Sequence, residues 1–319
     1  MHAAVVTAFD SPPVYQEFPT PIPQTPNEVL VDVLAAGLHP RVRSQANGSH
    51  YTSTDELPLI PGIDGVGRTA EGELRYFVLP DTNIGAMAER TIVDLRRSVL
   101  LPEATDPVPI AAAMNPAMSS WIALRRRIDF RPGQSVLVLG ATGNAGRMAV
   151  QIAKHLGASH VIAAGRREDQ LATLPALGAD ETVALAQGGP EQVADRLGKA
   201  AGEVDVVLDY LWGEPAVNTL IPLVTHRADE AKPLTWIQIG SIAGPTAAIP
   251  SAALRAVRLQ IVGSGQGSVS PRDIVAELPE LAAEITRGTF AVDARAVPLR
   301  DVAAAWKDAD ADRRIVVTP

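Results

Sequence analysis

The residues best placed to do chemistry are Val136-Leu137-Val138-Leu139-Gly140-Ala141-Thr142-Gly143-Asn144-Ala145-Gly146-Arg147. An apolar run leads into a turn of small residues and straight into a helical pattern. Gly140 or Ala141 lets the strand bend. Gly143 lets backbone approach a pyrophosphate without a Cβ in the way, and Gly146 lets the helix lie close to the sheet. The first helical N–H groups, from Asn144 and Ala145 onward, then face the phosphates together with the positive end of the helix dipole. The spacing is Ala-x-Gly-x-x-Gly from Ala141. Set between a strand and a helix, it specifies a dinucleotide-binding turn. The alternative is a glycine-rich turn that carries no ligand.

The next strand should end at Ala163-Ala164-Gly165-Arg166-Arg167. An acidic residue here would hold the adenosine ribose of NAD. Gly165 instead leaves room, and two guanidinium groups follow. A charge-assisted hydrogen bond contributes roughly 1.5–3 kcal/mol. One good contact to a 2′-phosphate therefore favours NADPH over NADH about ten- to a hundredfold. Glu168 and Asp169 lie close enough to pair with one arginine, and Arg166 is the preferred phosphate ligand. The alternative is a solvated helix start.

The elements that must position this turn are legible around it. Between Ser135 and Val262 the strand candidates are Ser135–Leu139, His160–Ala164, Asp205–Leu208, Thr235–Ile239 and Leu259–Val262. Ala145, Ala149, Ile152, Ala153 and Leu156 form one helical face between the first two strands. Nearly unbroken Val, Ile and Leu strands alternating with helices predict a parallel sheet covered on both faces. Gly240-Ser241 ends a strand at the carboxyl edge of this sheet, where nucleotide sites lie, so their backbone could line the ring of the cofactor.

Before residue 110 the chain differs. Pro12, Pro13, Pro19, Pro21, Pro23 and Pro26 break it into turns and edge segments. Short β-like runs at Ala3–Phe9, Glu28–Ala35 and Ala88–Val93 predict a mainly β domain. After residue 263 come an amphipathic helix (Ile274, Leu278, Leu281, Ile285), β-like pieces at Ala294–Pro298 and Arg314–Thr318, and a helix around Val302–Ala309. This tail has too few strands for its own sheet and should return to the first domain. The 319 residues suggest about two domains.

Composition narrows the function. No cysteine is present, which excludes disulfides, thiolate zinc sites and a cysteine nucleophile. A net charge of −8 argues against nucleic acid or an anionic membrane as partner. The N-terminus does not read as a signal peptide and no stretch reads as a membrane span, so a cytoplasmic location is expected.

The ordered set of parts resembles the medium-chain dehydrogenase/reductase superfamily. Ala35-Ala36-Gly37-Leu38-His39-Pro40, Leu59-Ile60-Pro61-Gly62-Ile63-Asp64-Gly65-Val66-Gly67, Gly85-Ala86-Met87-Ala88-Glu89, Gly140–Ala158 and Val204–Asp209 are similar to its quinone oxidoreductase branch. The resemblance covers essentially the whole chain. It implies a GroES-like catalytic domain (1–115 with 264–319), a Rossmann NADP-binding domain (116–263), a cleft between them and commonly a homodimer. In zinc-dependent members a Cys/His/Cys set holds the metal. The matching positions here look like His39, Ile63 and Pro116, so the resemblance implies a zinc-independent enzyme, because catalytic zinc takes about three protein ligands.

Without a metal, a reduced nicotinamide serves an acceptor activated by its own conjugated carbonyl, a quinone or an α,β-unsaturated carbonyl. The candidate donors to that carbonyl are His39 and Tyr51. His39 follows a β-run and precedes a proline, placing it at a strand end facing the cleft; the quinone oxidoreductase branch usually has Asn there. Tyr51 resembles the tyrosine that family members place beside the nicotinamide. Ser119 and Ser120 match their small hydroxyl residues near the ring, although a helix cap also explains them. Asp64 reads as a turn residue. Two other readings remain: an atypical short-chain, NmrA-like reductase, and an NADPH-binding sensor without turnover.

Overall fold

The computed structural model describes residues 1–50, 52–265, 267–308 and 313–319. It divides into two units, Met1–Asn115 with Val275–Pro319, and Pro116–Ile274. The expected return to the first unit was at residue 264; segment 264–274 stays with the second.

In the first unit, β1 (His2–Val5) pairs with β2 (Val14–Glu17). The long β3 (Glu28–Leu38) runs into α1 (Pro40–Ala46), where Pro40 opens the helix with its φ already fixed. Then follow β4 (Asp64–Thr69), β5 (Leu74–Val78), β6 (Arg90–Asp94), β7 (Ser98–Leu100) and the start of α2 (Pro107–Ile122). Asp64 therefore opens a strand and does not sit in the turn expected from Pro61-Gly62.

In the second unit, β8 (Ser135–Leu139), α3 (Asn144–His155), β9 (His160–Gly165), α4 (Glu168–Leu171), β10 (Glu181–Ala184), α5 (Pro190–Ala201), β11 (Val206–Asp209), α6 (Gly213–His226), β12 (Leu234–Gln238), α7 (Ala253–Ala256) and β13 (Leu259–Gly263) alternate. The sheet order is β10-β9-β8-β11-β12-β13, all parallel. This is the doubly wound Rossmann order, with its switch point between β8 and β11. Both faces are covered because the strands are apolar throughout: Val136 through Leu139 and Val161 through Ala164 are buried. Leu137, Ile162, Val207, Leu220 and Trp236 share one cluster under the helices. Each fully buried side chain of this size stabilises by about 1.5–3 kcal/mol.

The tail begins with α8 (Pro271–Thr286), whose Leu278, Leu281 and Ile285 are buried. It continues through β14 (Ala294–Pro298), α9 (Val302–Lys307) and β15 (Arg314–Thr318). β15 joins β3 antiparallel, with Val316 opposite Gly37, and β14 extends the same sheet. The tail thus supplies two strands of the first unit's sheet, and Ile315, Val317 and Val302 enter its core with Val31 and Phe77. This is the GroES-like β domain. Among the described residues, no helix is long and apolar enough to cross a membrane.

Candidate cofactor site and acceptor-side residues

Gly140 makes the bend after β8, at φ +90°. Its N–H and that of Ala141 both donate to Ala164 O at 2.9 Å, tying the turn to β9. Ala141 is fully buried, so it shapes the turn and has no free amide to offer a phosphate. Gly143 is the N-cap of α3, and no side chain caps that helix end. The first-turn N–H groups of Asn144, Ala145 and Gly146 have no intrahelical acceptor. An ideal Cβ on Gly143 would meet only Gly140 O, at 3.6 Å, so the space above it is open. On Gly146 the same atom would lie 2.3 Å from Gly140 O and 2.6 Å from Ala141 Cα. Gly146 thus serves packing, while Gly143 leaves a cradle over unpaired amides. That cradle fits the pyrophosphate of a dinucleotide.

Gly165 closes β9 directly against Thr142; a Cβ there would lie 2.6 Å from Thr142 Cγ2. Beyond it, Arg166 is exposed and, among the described residues, has no hydrogen bond or ion pair. Arg167 instead donates to Asp169 Oδ2 at 3.1 Å. The free guanidinium next to the turn is therefore Arg166.

At the opposite half of the sheet edge, Gly240 N–H donates to Asp209 O at 3.1 Å, and Ser241 is exposed just beyond. Ser120 is fully buried, and its hydroxyl turns back to Ala117 O at 3.3 Å. Its side chain therefore has no surface to offer a ligand. The half-buried neighbour Ser119 instead meets the Tyr210 hydroxyl at 2.9 Å. No sequence spacing links residues 119 and 210, which is why this contact was not legible.

In the first unit, His39 stands at the end of β3 as the N-cap of α1 and is only 2% exposed. Its Nε2 is 3.0 Å from Asp64 Oδ1, and Tyr76 donates to Asp64 Oδ2 at 2.8 Å. Burial holds the imidazole below its ordinary pKa despite the carboxylate beside it. Neutral His39 then donates its Nε2–H to Asp64, and Nδ1 is a lone-pair acceptor with no partner among the described residues. The expectation of an open, donating histidine is corrected in this respect: Asp64 orients the ring and buries it. Burial likewise pushes the Tyr76 phenol well up, keeping it a donor to Asp64. Tyr51 lies outside the described residues.

Comparison with known proteins follows the same lines. The family model for a zinc-binding dehydrogenase matches residues 145–285. A probable NADPH-dependent quinone reductase of Emericella nidulans (tdiC) is 34% identical, covering 100% of both chains. A chloroplastic NADPH-dependent alkenal/one oxidoreductase of Arabidopsis thaliana is 27% identical over 58% of this chain and 50% of its own. The quinone oxidoreductase of Thermus thermophilus, also solved in complex with NADPH, superposes with a TM-score of 0.81 at 28% identity over 100% of both chains.

The fold and the turn define a two-unit, nicotinamide-dependent dehydrogenase architecture. This chain belongs to the medium-chain dehydrogenase/reductase superfamily, in its quinone oxidoreductase-like branch. That membership removes the short-chain reading. The family model's zinc does not fit these residues: Ile63 is an apolar core residue, Pro116 has no ligand atom in its side chain, and His39 commits Nε2 to Asp64. Among the described residues no three ligand-type side chains converge.

Proposed function

We propose that this protein is an NADPH-dependent, zinc-independent oxidoreductase whose acceptor is a quinone or an α,β-unsaturated carbonyl. The observation that carries the reading is the open cradle above Gly143, next to an unengaged Arg166. The curated relatives named for NADPH-dependent quinone and alkenal/one reduction support it.

When bound, the cofactor supplies hydride from its dihydronicotinamide ring. The chain's residues do the rest. Asn144, Ala145 and Gly146 hold the pyrophosphate with backbone N–H groups in the space that Gly143 leaves open, and Thr142 and Gly165 shape the approach to the adenosine ribose. Arg166 takes the 2′-phosphate. Arg167, engaged by Asp169, adds charge but weaker contact. The Gly240-Ser241 backbone lines the ring. Such an acceptor needs no metal because its conjugated carbonyl spreads the arriving charge onto oxygen.

His39 and Tyr51 remain our acceptor-side assignments. Neutral His39 has given its one N–H to Asp64 and can only accept at Nδ1, so the proton that must follow is assigned to Tyr51. A cytoplasmic homodimer belongs to the same proposal: among the described residues β13 pairs only with β12, leaving a sheet edge for a second copy.

The test is steady NADPH consumption with a panel of quinones and enals. Turnover with at least one of these classes, and slower turnover with NADH, is expected. Tight NADPH binding with no turnover on any acceptor would favour the sensor reading instead.

A further inference from the structure

The pyrophosphate cradle lies at β8 and the adenosine end at β9, so the carboxyl ends of β11 and β12 are left for the nicotinamide half. That region carries a feature the function above does not use. Tyr210 follows β11 directly and is half-buried. Two neighbouring strand ends close around it. A Cβ on Gly140 would lie 3.3 Å from Tyr210 Cβ, and one on Gly240 would lie 2.7 Å from Tyr210 O.

The backbone here is held against its preference. Trp212 has φ +53°, a conformation rare for a bulky residue, and Gly213 follows at φ +63°. Asp209 fixes this turn. Its Oδ1 accepts from Leu211 N at 2.8 Å and Trp212 N at 3.0 Å, and its Oδ2 accepts from Trp236 Nε1 at 3.0 Å.

The hydroxyl is fixed as firmly. Ser119 Oγ donates its single proton to Pro116 O at 2.7 Å. The hydrogen in the 2.9 Å contact between Ser119 and Tyr210 therefore comes from Tyr210. Burial pushes the phenol up to about 12, so it keeps that proton at neutral pH. Ser120 is the phenol's second hydroxyl neighbour, but its own proton goes to Ala117 O; with the phenol proton given to Ser119, Tyr210 Oη keeps a lone pair for an incoming donor.

We infer that Tyr210 anchors the nicotinamide: its phenol oxygen, aligned by Ser119, accepts a hydrogen bond from the carboxamide N–H of the bound cofactor and fixes how the ring is turned. This rests on the NADPH reading above. The strained turn after β11 then has a purpose, which is to bring Tyr210 to the ring end of the sheet edge.

Calorimetric titration of the wild-type protein and Tyr210→Phe with NADPH and with 2′,5′-ADP, which lacks the nicotinamide, tests it. The lost neutral hydrogen bond should weaken NADPH roughly two- to tenfold and leave 2′,5′-ADP unchanged. Ser119→Ala should show the same pattern with a smaller loss, and it carries the test should Tyr210→Phe fail to fold. Unchanged NADPH affinity in the variant, or equal losses for both ligands, would overturn the anchoring role alone. A wild-type protein that binds neither ligand would overturn the NADPH reading and this inference with it.

Discussion

Thr142 occupies the space that any side chain at Gly165 would need. Its Cγ2 would stand 2.6 Å, and its Oγ1 3.1 Å, from a Cβ built there. This contact joins the glycine-rich turn to the end of β9, so the two halves of the expected cofactor cradle are set by one packing relationship. Gly165→Ala should therefore cost about 1–3 kcal/mol through overpacking. Thr142→Ser removes the nearer atom, so the double variant should recover most of that loss. Thermal unfolding of the four proteins in this cycle measures the coupling; additive effects would show that the contact is not the cause.

Gly143 and Gly146 are three residues apart in one motif but do different work. Gly143→Val adds bulk to open space, so the melting temperature should hold while NADPH affinity falls by more than about tenfold, the phosphate amides being blocked. Gly146→Ala drives a Cβ into backbone 2.3 Å away and should lower the melting temperature clearly. Thermal scans and titrations of both variants separate the roles. A Gly143→Val protein that binds NADPH normally would place the pyrophosphate elsewhere.

The two arginines after Gly165 should not be equivalent. Arg166→Ala should weaken NADPH about ten- to a hundredfold with little change for NADH. Arg167→Ala should have the smaller effect, because its guanidinium is engaged by Asp169. Titration with both cofactors checks this. Equal losses for NADPH and NADH in Arg166→Ala would remove the 2′-phosphate assignment.

His39 makes a pH-dependent contribution to stability. Burial lowers its folded-state pKa below the ordinary value of 6.5. Below that value the unfolded chain binds a proton that the folded chain refuses. The stabilisation is thus fully present above about pH 6.5 and is lost as pH falls toward the folded-state pKa, by up to about 1.4 kcal/mol per pH unit. His39→Gln should flatten the fall in stability between pH 6.5 and lower pH. Denaturant titrations of both proteins across that range decide it; parallel curves would mean that the folded imidazole protonates freely.

What the sequence revealed depended on whether the signal was local. β8 was legible to the residue, and the other central strands to within a residue or two, because both their faces are buried and their apolar runs are unbroken. β10 was not, since Glu181 and Thr182 are exposed on an edge strand. The short helix α1 was hidden by its Pro40 and Arg41 start. At the site, the cradle was readable because its parts are consecutive. Asp64 looked like a turn residue after Pro61-Gly62, and only the fold brings it to His39, 25 positions away. Ser119 and Tyr210 are 91 positions apart and share no pattern. The four tryptophans show no stacking pattern in the sequence and read as packing residues, yet the Arg125 guanidinium lies over the Trp121 ring at 4.8 Å.

The most direct test is a crystal structure of the protein grown with saturating NADPH. The pyrophosphate should lie against the N–H groups of residues 144–146, above Gly143, with the 2′-phosphate at Arg166. An empty turn, or a cofactor bound with its phosphates away from α3, would contradict the account.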